Sequence, residues 1–170
     1  MSAFQVLLLI FGLAFVSAKR PYNLSSKDTS RQKLTCYENY NQQGDSVVLS
    51  EYTPILENYN FDNRAASCCF EGIWFLYDQE YYNANNPNAL AFTDWGENYC
   101  LDFDEWFTQV ASSARYTGAP DGYKYSTLNL YELTWFAGSD QYFYGDDPSF
   151  TKFNAQSAVV TGCDAWTVYE

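Results

Sequence analysis

Along this chain the apolar and aromatic residues come in short runs bounded by Gly, Asn, Asp and Pro, the punctuation of strands and turns. The runs predict strands near 34–39, 46–50, 66–70, 73–78, 98–103, 111–116, 127–132, 141–144, 157–161 and 165–169. Turn clusters separate them: Asn41-Gln42-Gln43-Gly44, Asn83-Ala84-Asn85-Asn86-Pro87, Gly118-Ala119-Pro120-Asp121-Gly122 and Gly145-Asp146-Asp147-Pro148. No segment keeps a helical period beyond about two turns. Asp102 to Val110 is the one place where a short helix competes, with Phe103, Trp106, Phe107 and Val110 at helix-like spacing.

One pattern occurs twice. Ser67, Gly72, Trp74, Tyr77 and Asp78 have counterparts in Ser157, Gly162, Trp166, Tyr169 and Glu170. Upstream, Tyr37-Glu38 leads to Gly44 with the same spacing that takes Tyr131-Glu132 to Gly138. The period is about forty residues, the size of one supersecondary unit, and a unit that small needs a neighbour to bury its apolar face.

Ahead of the repeats, Ala3 to Val16 is a nearly unbroken apolar run, and Val16-Ser17-Ala18 offers the small residues a signal peptidase reads. Residues 1–18 are therefore expected to be a signal peptide, since the run falls short of the ~18 apolar residues a membrane span needs. The chain is expected to be secreted, with no membrane partner. Residues 19–33 are polar and expected to form a disordered tail, in which Asn23-Leu24-Ser25 makes Asn23 a glycosylation candidate.

The tail holds five of the nine basic residues, so residues 34–170 carry four basic and twenty acidic side chains, a net of −16. Such a field repels phosphate backbones, which excludes nucleic acid as a partner. With 16 Tyr, 13 Phe and 5 Trp, the core must be largely aromatic.

Five cysteines in a secreted chain are disulfide candidates: Cys36, Cys68, Cys69, Cys100 and Cys163. Cys68 and Cys69 are neighbours in a strand and face opposite ways, so they do not pair with each other. Cys36 is expected to pair with one of them, and Cys100 with the other or with Cys163. The remaining thiol is either buried or links two chains, with burial favoured.

There is no histidine, which removes Ser-His-Asp and Cys-His catalysis and His-containing zinc sites. Asp94, Glu97, Asp102, Asp104 and Glu105 cluster in sequence, but an acidic solvated loop is the plainer reading than a glycosidase pair. No enzymatic activity is expected.

At the repeat, Tyr-Glu, then Gly, then a strand-opening Ser, then a Gly turn and Trp-x-x-Tyr resembles the βγ-crystallin Greek-key motif over roughly 34–170. The resemblance implies an all-β Greek-key β-sandwich with three recognisable motifs and the start of a fourth. The first motif uses Tyr37, Gly44 and Ser67; the third uses Tyr131, Gly138 and Ser157. The second runs from Tyr77 to Ser113, with Ala84 where the hairpin glycine belongs, and its extra length is assigned to the Tyr82–Trp95 loop and the Gly118–Tyr125 connection. Motifs one and two form a domain over 34–117. Residues 118–170, the third motif and a terminal strand, pack on that domain or on a partner chain, a homodimer being the second possibility.

Many members of that family bind calcium, and the resemblance implies weak candidate ligands in Asp62, Asn63, Ser67 and Ser112. The competing reading is that Asp62, Asn63 and Ser67 cap a turn and close a hairpin. The function expected is a non-enzymatic structural or binding role outside the cell. The alternative is a recognition or defence module with a glycan or protein partner, either a protease inhibitor or a carbohydrate binder using the row Tyr81, Tyr82, Trp95 and Tyr99.

Overall fold

Antiparallel strands build the described residues of the computed structural model, which are 15–17, 31–148, 151 and 153–169. The expected signal peptide, the polar tail and Asn23 lie outside them, apart from Phe15–Ser17 (β1), whose backbone pairs with Thr167–Tyr169 (β10), and the last residues of the tail.

The larger sheet contains β2 (Lys33–Asn39), β3 (Gln43–Leu49), β4 (Ser67–Tyr77), β5 (Ala91–Asp102) and β6 (Ser113–Tyr116), in the order β3-β2-β4-β5 with β6 also on β4. Residues 66–70 and 73–78, expected as separate strands, run on as β4. The join is Gly72, at φ 97°, where a Cβ would stand 1.9 Å from Gln32 Oε1. Either side of that point β4 serves different partners: Ser67–Glu71 pairs with β2, and Trp74–Tyr77 pairs with β6. β5 follows along the other edge for the whole length.

Residues 91–95, expected as part of an inserted loop, lie in the first half of β5. Ala91, Phe92, Thr93 and Asp94 pair with Tyr77, Leu76, Phe75 and Trp74. Thr93, Asp94 and Gly96 hide the strand pattern, but an apolar β4 supplies the ladder, and only Phe92 on the inner side must be apolar. Residues 104–108 make a single turn rather than a helix, closed by Thr108 N–H to Asp104 O at 3.0 Å.

Two faces of β4 are buried for different reasons. Trp74 and Leu76 point into a core with Leu34, Cys36, Leu49, Phe70, Phe103 and Phe107. Phe75 and Tyr77 point the opposite way, against Tyr131 and Val159 of a second sheet. That sheet, in the order β8-β7-β9, consists of β7 (Thr127–Tyr131), β8 (Asp140–Phe143) and β9 (Ser157–Thr161). Leu128 and Leu130 face its far side with Phe143 and Ala158. The β8-β7-β9 sheet therefore packs against β4 of the same chain, and Phe75 stacks on Phe136 at 4.8 Å across the junction. Burying one such ring contributes about 2 kcal/mol.

The connection between the sheets is held by buried amides. Gln32 Nε2 donates to Thr117 O at 2.6 Å, its Oε1 accepts from Ile73 N–H at 2.9 Å, and Asn129 Oδ1 accepts from Gly118 N–H at 3.1 Å. Gln32 is 1% exposed and Lys33 opens β2, so the packed body begins ahead of residue 34. The architecture is all-β and antiparallel, compatible with a Greek-key β-sandwich.

Candidate functional site

Three hairpins fold over in the same way. After β2, Asn41 and Gln42 both sit at φ 57°; after β4, Tyr81 and Tyr82 sit at 52° and 61°; after β7, Trp135 and Phe136 sit at 56° and 58°. A serine closes each one. Ser67 Oγ donates to Asn39 O at 2.7 Å and accepts from Gln42 N–H at 3.1 Å. Ser113 Oγ does so with Gln79 O at 2.6 Å and Tyr82 N–H at 3.1 Å, and Ser157 Oγ with Leu133 O at 2.6 Å and Phe136 N–H at 3.1 Å. The residue before each serine donates to the tyrosine that ends or runs through the opening strand: Ala66 to Tyr37 O, Ser112 to Tyr77 O and Gln156 to Tyr131 O. A hydroxyl suits this place because it satisfies one buried donor and one acceptor at once.

Gly44 and Gly138 follow their hairpins at φ 81° and 73°. Ala84, two residues beyond Tyr82, stays right-handed at φ −58°, and the left-handed step is taken by Asn83 at φ 56°. Asn tolerates that region far better than Ala.

Segments 56–66 and 103–112 face each other through reciprocal bonds. Asn63 N–H donates to Ala111 O at 2.9 Å, and Gln109 N–H donates to Ala65 O at 2.7 Å. Leu56 N–H to Ser112 O at 2.8 Å is mirrored by Phe103 N–H to Ala66 O at 2.9 Å. The loop holding Asp62 and Asn63 is thus set against the segment holding Ser112. Its oxygen supply is modest: Asp62 is the lone carboxylate of the set, and its Oδ2 accepts from Asn63 Nδ2 at 2.6 Å. Ser67 belongs to the hairpin instead, with its hydroxyl donating and accepting there. Arg64 turns away to Glu38 and Asp45, at 3.1 and 2.8 Å. Among the described residues no three His, Cys, Asp or Glu side chains form a group that could hold a metal ion.

Where the second and third hairpins meet lies a feature that sequence reading missed. Arg115, 0% exposed, donates from Nε to Tyr77 Oη at 3.1 Å, from Nη1 to Gly138 O at 2.8 Å and Asp140 Oδ1 at 3.0 Å, and from Nη2 to Phe136 O. Its guanidinium lies 4.5 Å from the ring centre of Tyr82 and 4.9 Å from that of Tyr131. Asp140 also accepts from Tyr52 Oη at 2.8 Å. Burial raises the phenols of Tyr52, Tyr77, Tyr82 and Tyr131, with Arg115 pulling the other way. A signal was present: Arg115 is the only charge in the otherwise uncharged strand Ser113–Tyr116.

No family model matches this chain, and no curated protein matches it.

The bridges flank β4. Cys36–Cys68 joins directly opposed residues of β2 and β4 inside the core, and Cys69–Cys100 joins opposed residues of β4 and β5 on the outer face. Sequence separations of 32 and 31 give each bridge about 3–4 kcal/mol of loop-entropy stabilisation. Cys163 is free and exposed, not buried. It lies beyond β9, where its N–H and that of Asp164 donate to Ser126 Oγ at 3.1 and 3.2 Å, and this loop lies outside the apolar cores.

The expected aromatic row divides. Tyr81, Trp95 and Tyr99 are 51%, 47% and 50% exposed, but Tyr82 turns inward beneath Arg115. Trp135 is more exposed than any of them, at 69%. Of the clustered acids, Asp94 and Asp102 accept from the backbone of Trp95 and Asn41, both at 2.7 Å, and Glu97 pairs with Lys124 at 2.5 Å.

Proposed function

We propose that this chain is a secreted, non-enzymatic structural protein of the βγ-crystallin type, a rigid acidic body that stays dispersed outside the cell. The observation that carries the reading is the threefold closure of a folded hairpin by Ser67, Ser113 and Ser157, each with the same donor and acceptor. The reciprocal bonds between motifs one and two favour the same assignment. Rigidity would come from the aromatic core and the two bridges on β4, and dispersion from the −16 charge of residues 34–170, which makes copies repel one another.

Calcium fits this reading as a minor stabiliser. Asp62, Asn63 and Ser112 would hold it, supplying hard oxygens where two motifs meet, and a single carboxylate implies affinity in the extracellular range of about 10⁻⁴–10⁻³ M.

The test is expression of the full chain in a secretory host, followed by mass mapping without reduction and light scattering across concentration. Recovery from the medium with both bridges and net repulsion between molecules is the expected result. Retention in the cell, or attraction between monomers in dilute solution, contradicts the reading.

A further inference from the structure

We propose that Tyr81 and Trp135 form a stacking site for a neutral, β-linked oligosaccharide. They occupy the same outer position on neighbouring hairpins, both with left-handed backbone, at φ 52° and 56°. Bulky residues avoid that region, and strain of this kind persists only where the surroundings impose it. In the first hairpin the position holds Asn41, a residue that tolerates it.

Packing does not account for the aromatic choice. The inner residues, Tyr82 and Phe136, gain burial against Arg115 and Phe75. The outer ones gain little, at 51% and 69% exposed.

The two tips are fixed relative to each other. Gly138 N–H donates to Tyr82 O at 3.0 Å, directly linking the hairpins, and Arg115 binds Gly138 O while lying over Tyr82. Tyr81 N–H is anchored to Pro54 O at 2.8 Å. A ligand stacking on both rings would find the backbone that carries them already ordered, which lowers the entropy lost on binding.

The ligand class follows from the chemistry of the rings. An aromatic face accepts the C–H face of a pyranose, and β-linked sugars with equatorial substituents offer an apolar face on each side of every ring. The acidic body disfavours anionic sugars. Two tips on separate hairpins call for more than one sugar unit. The site does not depend on the family reading.

The experiment is tryptophan fluorescence titration of the full chain with cellohexaose and with the β-1,4-linked hexamer of N-acetylglucosamine. A saturable change with at least one of them is expected. Tyr81→Asn and Trp135→Asn, which copy the residue of the first hairpin, should each weaken binding about tenfold or more, and thermal midpoints should stay level or rise. Isothermal calorimetry reads the Trp135→Asn variant independently of the lost fluorophore. No saturable response to either sugar overturns the proposal. So does binding retained by the double variant, or a loss of binding that tracks a lowered midpoint.

Discussion

Arg115 and Asp140 meet at 3.0 Å with the guanidinium fully sequestered and the carboxylate 13% exposed. The pair joins β6 to β8 and so clamps the β8-β7-β9 sheet onto the larger one. Arg115→Ala leaves the Asp140 charge uncompensated, with only the Tyr52 hydroxyl beside it, and strands the carbonyl of Gly138, and is expected to destabilise the protein by about 3–5 kcal/mol. Arg115→Met with Asp140→Asn should be milder, because no charge is left uncompensated. Denaturant melts measure the cost. Limited proteolysis of the single variant should cut within 117–126 as the sheets separate; equal protease resistance would show that the clamp is dispensable.

Alkali should loosen the same junction. Burial pushes the Tyr77 phenol up to about 12, and Tyr52 and Tyr131 move in the same direction. In the unfolded chain these phenols ionise near about 10. Above that pH the unfolded state binds fewer protons than the folded one, so the stabilisation, complete below about pH 10, is lost as pH rises toward about 12. Thermal midpoints recorded from pH 8 upward should decline across that window, and Tyr77→Phe should flatten the decline. A level profile would contradict the assignment.

The two bridges should reduce in order. Cys36 and Cys68 are 2% and 0% exposed, whereas Cys100 lies at the surface. Native protein titrated with a phosphine reductant is expected to lose Cys69–Cys100 first, read by alkylation and peptide mass. Each bridge removed by paired Cys→Ala substitution should cost about 3–4 kcal/mol.

Glycine should matter in the third hairpin but not in the second. Gly138→Ala forces a side chain into φ 73° and against Leu133 at 3.1 Å, with a cost expected to exceed about 1 kcal/mol. Ala84→Gly restores the repeat on paper, yet Ala84 is right-handed, so it should destabilise by about 0.5–1 kcal/mol through the unfolded chain. Stabilisation by Ala84→Gly would mean that residue 84, rather than Asn83, takes the left-handed step.

Calcium at about ten times a millimolar dissociation constant should add roughly 1.4 kcal/mol, seen as a small rise in melting temperature. Asp62→Ala should abolish it. If wild type shows no rise, the Asp62–Asn63 loop serves only to close its turn.

The local parts of this fold were legible because they repeat. Tyr37, Ser67, Tyr131 and Ser157 stand at matched spacings, and the turn they build is closed by the hydroxyl of the serine that opens the later strand. The first half of β5 was hidden, because Thr93, Asp94 and Gly96 read as loop and the strand exists through its ladder to β4. Long-range polar contacts were hidden for a different reason. Arg115 and Asp140 lie twenty-five residues apart, and each looks like an ordinary surface charge until the sheets are docked. Gln32 reads as tail because its neighbours are polar, while its own amide fills the space that Gly72 leaves open. For the candidate oligosaccharide site, Tyr81 was visible as an aromatic near others, but Trp135 was not, since its distinction is conformational.

The adjacency of Cys68 and Cys69 reroutes the covalent chain. From Cys36 a path of bonds crosses to Cys68, steps to Cys69 and crosses again to Cys100, bypassing two closed loops. An oxidised molecule drawn out by its ends would therefore be about 200 Å shorter than its residue count suggests. Even stripped of every strand, residues 36–100 would remain as two rings joined at one peptide bond, a more compact coil than a linear chain of equal mass.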